Sequence, residues 1–217
     1  MSHNHPPCHY TWEFQSFPIE NLSFIDSSDK NIVYTGRWNF ENTTQPKVTW
    51  SGATVTIEFK GTQLIAKLEN ETGVDQFRVI IDGKASAEIF EVFTGVNDFI
   101  LAKDLVDKEH TVVVMKETLY NKATIFHGFY SDGELLTPEN RPALRIAFFG
   151  DSNMDGSSNY SEKNQGDSGS YYAYPAMTTR MLTAEMHLQA LGGAKLDENG
   201  DNDVRSFIYS EDYHNQN

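Results

Sequence analysis

The chain has 217 residues, 39% of them hydrophobic and 12% aromatic, enough apolar material for one large domain or two small ones. Its 31 acidic against 17 basic side chains leave a net charge of −14, which repels a phosphate backbone or an anionic lipid surface. Nucleic acid and membrane are thereby excluded as expected partners, whereas neutral sugars are compatible with an acidic surface.

Residues 1–31 carry Pro, Ser, Asn and scattered aromatics without sustained periodicity, and read as a loose arm. The opening "MSHNHPPCHYTW" has neither a basic n-region nor an apolar run, so no signal peptide is expected there, and the compartment stays open. No later run reaches the 18 or so apolar residues of a membrane span. Cys8 is the single cysteine, which excludes an intrachain disulfide. With His3, His5 and His9 it offers metal-binding donor types, but in an unpatterned terminus these read as tail, and no metal or cofactor is expected. Sequons at Asn21, Asn42, Asn70 and Asn159 are of a number that a chain rich in Asn, Ser and Thr produces by chance.

From 32 to 131 the pattern is β throughout. "ATVTIEFK" puts Val55, Ile57 and Phe59 on one face, "QLIAKLE" does so with Leu64, Ala66 and Leu68, and "FRVIID" with Phe77, Val79 and Ile81. Asp82-Gly83 marks a hairpin, and further runs follow in "AEIFEVF", "HTVVVMK" and "ATIFHGFY". Short strands at this spacing predict an antiparallel sandwich of jelly-roll type.

Residues 132–144, with two prolines, read as a connector to a second unit over 145–217. "RIAFFG" is a buried strand. "YPAMTTRMLTAEMH" has helical spacing through Ala176, Met177, Met181, Leu182 and Met186, with Pro175 in the first turn and His187 at the helix end. "LQALGGAKL" then reads as a short strand and turn. Strand, loop, helix, strand is the opening of an α/β doubly wound unit.

The strand "RIAFFG" runs into "GDSNMDGSS", which places Ser152 at the carboxyl edge of a parallel sheet, where a hydroxyl faces the crevice. The same tripeptide also makes an ordinary turn. "IAFFGDSNMDGSS" resembles the first block of the SGNH, or GDSL-type, hydrolases. Upstream, "YTGRWNF", "VTWSGATVTIEFKGTQLIAKLEN", "FRVIIDGK", "KEHTVVVMKET" and "IFHGFYSDGELLTP" resemble the amino-terminal jelly roll of carbohydrate esterase family two. The resemblance covers roughly residues 32 to 196. It implies a β jelly-roll sandwich followed by a partial SGNH-hydrolase-like, flavodoxin-like α/β domain that deacetylates plant polysaccharide without a cofactor.

Under that resemblance Ser152 is the nucleophile and its N–H part of the oxyanion hole. Gly193, with Gly192 beside it, falls at the second block, whose glycine N–H faces the oxyanion, and Asn153 is read as a substrate contact. A tight turn after a strand explains the same glycines.

A serine hydroxyl needs an imidazole within hydrogen-bond reach. The family supplies one in a late Asp-x-x-His block, after an Asn donor in a Gly-x-Asn-Asp block. Gly95-Val96-Asn97-Asp98 matches the latter in letters but lies ahead of the serine, and reads as a turn between strands. "SEDYH" offers Asp212 and His214 at Asp-x-His spacing, one residue short, and His214 is the candidate general base. His110 and His127 read as structural.

Trp38, Trp50 and Tyr34 are candidate sugar-stacking platforms, although alternating strands more often bury such rings. "LDENGDNDV", 196–204, has carboxylates without calcium-loop spacing and reads as a solvated acidic loop, and Asp155 and Asp167 have no assigned role. Two functions follow: a serine carbohydrate esterase acting on acetylated polysaccharide or sugar, or a non-catalytic carbohydrate-binding or self-associating sandwich with a vestigial hydrolase fragment. Self-association enters because a second copy can supply missing strands.

Overall fold

In a computed structural model of the chain, residues 19–86, 89–118, 123–157 and 169–195 are described. Eleven strands make the first unit: β1 Ser23–Asp26, β2 Val33–Thr35, β3 Trp38–Asn39, β4 Lys47–Val48, β5 Thr54–Gly61, β6 Leu64–Ile81, β7 Lys84–Ala85, β8 Phe90–Ala102, β9 Lys108–Lys116, β10 Thr124–Ser131 and β11 Glu134–Leu135. All their pairings are antiparallel, and β6 carries the topology. Its first half lies between β8 and β10, its second half between β8 and β9, so β6 and β8 together bend from one layer of the sandwich to the other. The bend falls at Asn70, which faces both Thr94 and Gly95, a bulge of the kind that lets a strand change sheets.

Alternation fills the interior. Val55, Ile57, Phe59, Leu64, Ala66, Leu68, Phe77 and Val79 are all buried in one cluster with Phe90, Val92, Val112, Val114, Phe126 and Phe129. Each large apolar side chain sequestered this way contributes roughly 1.5–3 kcal/mol.

Four boundaries differ from the sequence reading. The arm is shorter, because Ser23–Asp26 pairs with Ser131–Gly128 of β10 and completes that sheet edge. The connector likewise gives up Glu134–Leu135, which pairs with β5. Gly95–Asp98 is not a turn between strands: it continues β8 past the bulge, paired to Asn70–Lys67. The helix ends early, at Met181. Thr183 turns the backbone to φ 50°, and Met186 and His187 belong to a strand, where their apolar and polar faces alternate just as well.

The second unit consists of β12 Arg145–Gly150, a single-turn helix α1 Ser152–Asp155, a 3-10 turn Ser170–Tyr172, α2 Tyr174–Met181 and β13 Glu185–Ala190. β12 and β13 pair in parallel from Arg145↔Glu185 to Gly150↔Ala190. This unit packs on the outer face of β6 and β9 through a second core of Met115, Ala176, Met186, Leu188 and Ala190, with Ile80, Phe148, Met154 and Tyr171 at its border. Gly52 makes the contact close: a Cβ there would stand 2.7 Å from Met186 Cε, and its φ of 76° is one that glycine adopts without strain. The architecture is a β jelly-roll sandwich joined to a partial α/β unit, and no helix among the described residues is long and apolar enough to cross a membrane.

Candidate active site

β12 is apolar from Ile146 to Phe149, and Gly150 lets the chain turn sharply out of it. A Cβ at Gly150 would meet Met154 Sδ at 2.5 Å, so the glycine admits the methionine that packs α1 back onto the strand. Asp151 caps α1, accepting from Asn153 N at 3.0 Å and from the Asn153 side-chain amide at 3.1 and 3.2 Å. Asn153 is exposed and spends its amide on this cap. Ser152 is half-buried at the first position of the helix. Its hydroxyl has no hydrogen-bond partner among the described residues.

Because Gly150 and Ala190 are register partners, Ser152 and the turn after β13 leave the sheet at the same edge. Leu191 N donates to Gly150 O at 3.0 Å, and Ala194 N closes the turn on Leu191 O at 2.9 Å. Gly193 sits in it at φ 79°. Neither the Ser152 N–H nor the Gly193 N–H has a partner among the described residues. A hydroxyl and two N–H donors leaving the sheet at a common edge are the kinds of group an acyl-transfer site uses for a developing oxyanion.

The electrostatics around the serine are acidic. Burial pushes the Asp155 carboxyl up to about 7; the Ser157 N–H, 2.8 Å from Oδ1, works against this, and the charge of Asp151 adds to it. Asp155 Oδ2 is buried without a partner among the described residues. Burial, then the Asp151 charge, also hold the Tyr174 phenol above its ordinary range.

The proposed sugar platforms are corrected. Trp38 is 5% exposed within the sandwich core, its indole N–H directed at Thr35 O and Thr54 O, both 3.2 Å away, so it presents no face to a ligand. Trp50, also 5% exposed, packs against Phe149, Leu191 and Ala194 with the Arg37 guanidinium 5.3 Å from its ring centre. It supports the turn that carries Gly193. Tyr34 is half-buried, with its hydroxyl on Ser27 O at 2.6 Å.

Of the histidines, His110 is buried between Asp82 Oδ2 at 2.9 Å and Val106 O at 2.8 Å. His127 meets Glu69 at 2.9 Å, and His187 lies in β13, 2.7 Å from Glu185, rather than at a helix end. None of the three is at the serine edge. Asn70 is buried and donates to Val92 O at 3.0 Å, which removes it as a glycosylation acceptor. His214 and Asp212, His3, His5, Cys8 and His9, Asn159, Asp167 and the acidic stretch 196–204 all lie outside the described residues. Among the described residues no cluster of three His, Cys, Asp or Glu side chains forms a metal site.

The sequence reading missed the buried charges next to this unit. Arg78 and Glu117 form a 2.5 Å ion pair with both side chains 0% exposed, and Lys116 and Asp75 form a second at 2.6 Å. Glu117 Oε2 accepts from Tyr171 N at 2.9 Å. Arg78 alternates with the core residues Phe77 and Val79, a position that reads as a solvated face until the second unit covers it, whereas Lys116 is the register partner of Phe77 and its charge meets Asp75 on the inner side of the sandwich.

Comparison with known proteins agrees with this architecture. The family model for the carbohydrate esterase 2 N-terminal domain matches residues 34–138. The cellulase/esterase CelE of Acetivibrio thermocellus is 30% identical over 187 residues, covering 83% of this chain and 23% of that protein. A family two carbohydrate esterase from Clostridium thermocellum, solved with cellohexaose, superposes with a TM-score of 0.72 at 30% identity, over 79% of this chain and 54% of that one. The acetyl xylan esterase Est2A of Butyrivibrio proteoclasticus shares the fold, with a TM-score of 0.75 at 24% identity over 85% and 52% of the two chains. The chain therefore spans about a quarter of the curated relative and about half of the solved ones. With a sandwich of this topology, a parallel strand pair following it and these similarities, the chain belongs to carbohydrate esterase family two.

Proposed function

We propose that the protein is a carbohydrate esterase that removes acetyl groups from an acetylated polysaccharide or sugar, with Ser152 as nucleophile. One observation carries the reading: the Ser152 hydroxyl, its own N–H and the Gly193 N–H are all unbonded to described residues and share one edge of the β12–β13 pair. The relatives are esterases, and one of them was solved with a bound cello-oligosaccharide, which supports a polysaccharide ligand.

In this reading Ser152 Oγ bonds to the acetyl carbonyl carbon and its proton passes to a base, for which His214 is the candidate. The carbonyl oxygen takes the negative charge against the two amides. As the tetrahedral species collapses, the sugar oxygen leaves with the proton. Water then releases acetate from the acyl-serine by the same route.

The test combines a serine-directed fluorophosphonate with intact mass measurement. One adduct on the wild-type chain, absent from Ser152→Ala, together with acetate release from acetylated xylan, is the expected result. No adduct, with retention on a polysaccharide column, overturns the esterase in favour of a non-catalytic binder. Sedimentation at several concentrations separates a monomer from a self-associating chain.

A further inference from the structure

The Ser152 helix has a single turn, too short to hold its own geometry. Its turn is closed on Asp151 and Ser152, by Met154 N to Asp151 O at 3.0 Å and by Gly156 N and Ser157 N to Ser152 O, the latter at 3.1 Å. What fastens it lies outside. The Ser170 hydroxyl, 0% exposed, donates to Asp155 O at 2.8 Å, and Gly169 N donates to Gly156 O at 2.9 Å.

The Ser170–Tyr172 turn is in turn held by the sandwich. Glu117, immediately after β9, accepts Tyr171 N on Oε2 and Arg78 Nε on Oε1, and its carbonyl lies 3.3 Å from Ser170 Oγ. The Arg78 guanidinium also donates to Ser86 O and stands 5.3 and 5.2 Å from the ring centres of Tyr171 and Tyr172. Burying a charge pair is a poor way to gain stability, since apolar residues of like volume do as well or better. Directional bonding is what the pair adds, and one arm of it, Tyr171 N on Glu117 Oε2, reaches this short turn.

We propose that Ser170 is a positioning residue for Ser152, through which the Arg78–Glu117 pair of the sandwich fixes the carboxyl end of the nucleophile's helix. The β-sandwich then belongs to the catalytic apparatus and is more than an appended module. This inference rests on Ser152 being the nucleophile, and its test is built so that the two fail separately.

The full chain, its Ser170→Ala variant and a Leu68→Ala control from the opposite half of β6 are compared. Amide exchange across 150–157, read by mass spectrometry, should be at least tenfold faster in Ser170→Ala, and fluorophosphonate acylation of Ser152 at least tenfold slower. Leu68→Ala lowers global stability but leaves both readouts near wild type. Glu117→Gln, if it folds, should follow Ser170→Ala. Unchanged exchange at 150–157 in Ser170→Ala overturns the anchoring, whether or not the serine reacts. Lack of an adduct on the wild-type chain overturns the nucleophile and leaves the exchange arm to decide the anchor. Equal effects of Ser170→Ala and Leu68→Ala also overturn the proposal, because a general loss of stability then accounts for both.

Discussion

The Arg141 guanidinium grips the Glu185 carboxylate twice, Nε to Oε2 and Nη2 to Oε1, each at 2.8 Å, and Nη2 also donates to Tyr34 O at 2.9 Å. One side chain in the connector thereby ties β2 of the sandwich to the first residue of β13. Lysine cannot reproduce the fork. The Arg141 side chain is 41% exposed, which tempers the loss. Arg141→Lys is expected to cost about 1–2 kcal/mol, a fall in Tm of roughly 2–8 °C by calorimetry. An unchanged Tm removes the connector from the account of how the units are joined.

Asp155 gives stability a pH dependence whose sign is fixed. Its ordinary value is 3.8 and burial raises it to about 7 in the folded chain, so between those values the folded state holds the extra proton. Stability falls as pH rises through that window and is flat above it, by on the order of 2–4 kcal/mol in full. Asp155→Asn keeps an acceptor for Ser157 N and has no proton to lose. Urea midpoints at pH 4.5, 5.5, 6.5 and 7.5 should converge for wild type and variant at the acid end and separate toward neutrality. Parallel curves contradict this.

Gly52→Ala tests the joint between the units. The added methyl must displace Met186 Cε at 2.7 Å and Leu188 Cδ2 at 3.1 Å, at a backbone φ of 76°. The methionine end yields easily and the backbone does not, so we expect about 2–4 kcal/mol of destabilisation. The urea midpoint should drop with the m-value unchanged.

Trp38→Phe and Trp50→Phe separate core from platform. Both should lower stability, by roughly 1–3 kcal/mol, through lost packing and, for Trp38, a lost N–H donor. Retention on an acetylated xylan affinity gel should stay within twofold of wild type. A tenfold loss for Trp50→Phe at unchanged fold would restore it as a sugar contact.

Much of the sandwich was legible because Val55, Ile57 and Phe59, or Leu64, Ala66 and Leu68, alternate and all go inside. The same rule failed where a strand is covered on both faces. Arg78 and Met115 point to the second unit, and nothing in a strand's own alternation reports what packs on its outer side. Met186 satisfied helical spacing and strand alternation equally, and Thr183 at φ 50°, not an apolar period, ended α2. At the candidate site, Ser152 was singled out by the Gly-Asp-Ser at a strand end together with the family resemblance, and Gly193 by the resemblance alone. Ser170 and Glu117 did not, since a lone Ser and a Lys-Glu pair occur everywhere and gain meaning only from distance in space.

The backbone bond from Gly169 N to Gly156 O brings the two ends of an intervening stretch together at 2.9 Å. Gly156, which ends the Ser152 turn, and Gly169, which opens the Ser170–Tyr172 turn, are thereby clipped backbone to backbone, so a displacement of one turn is passed to the other.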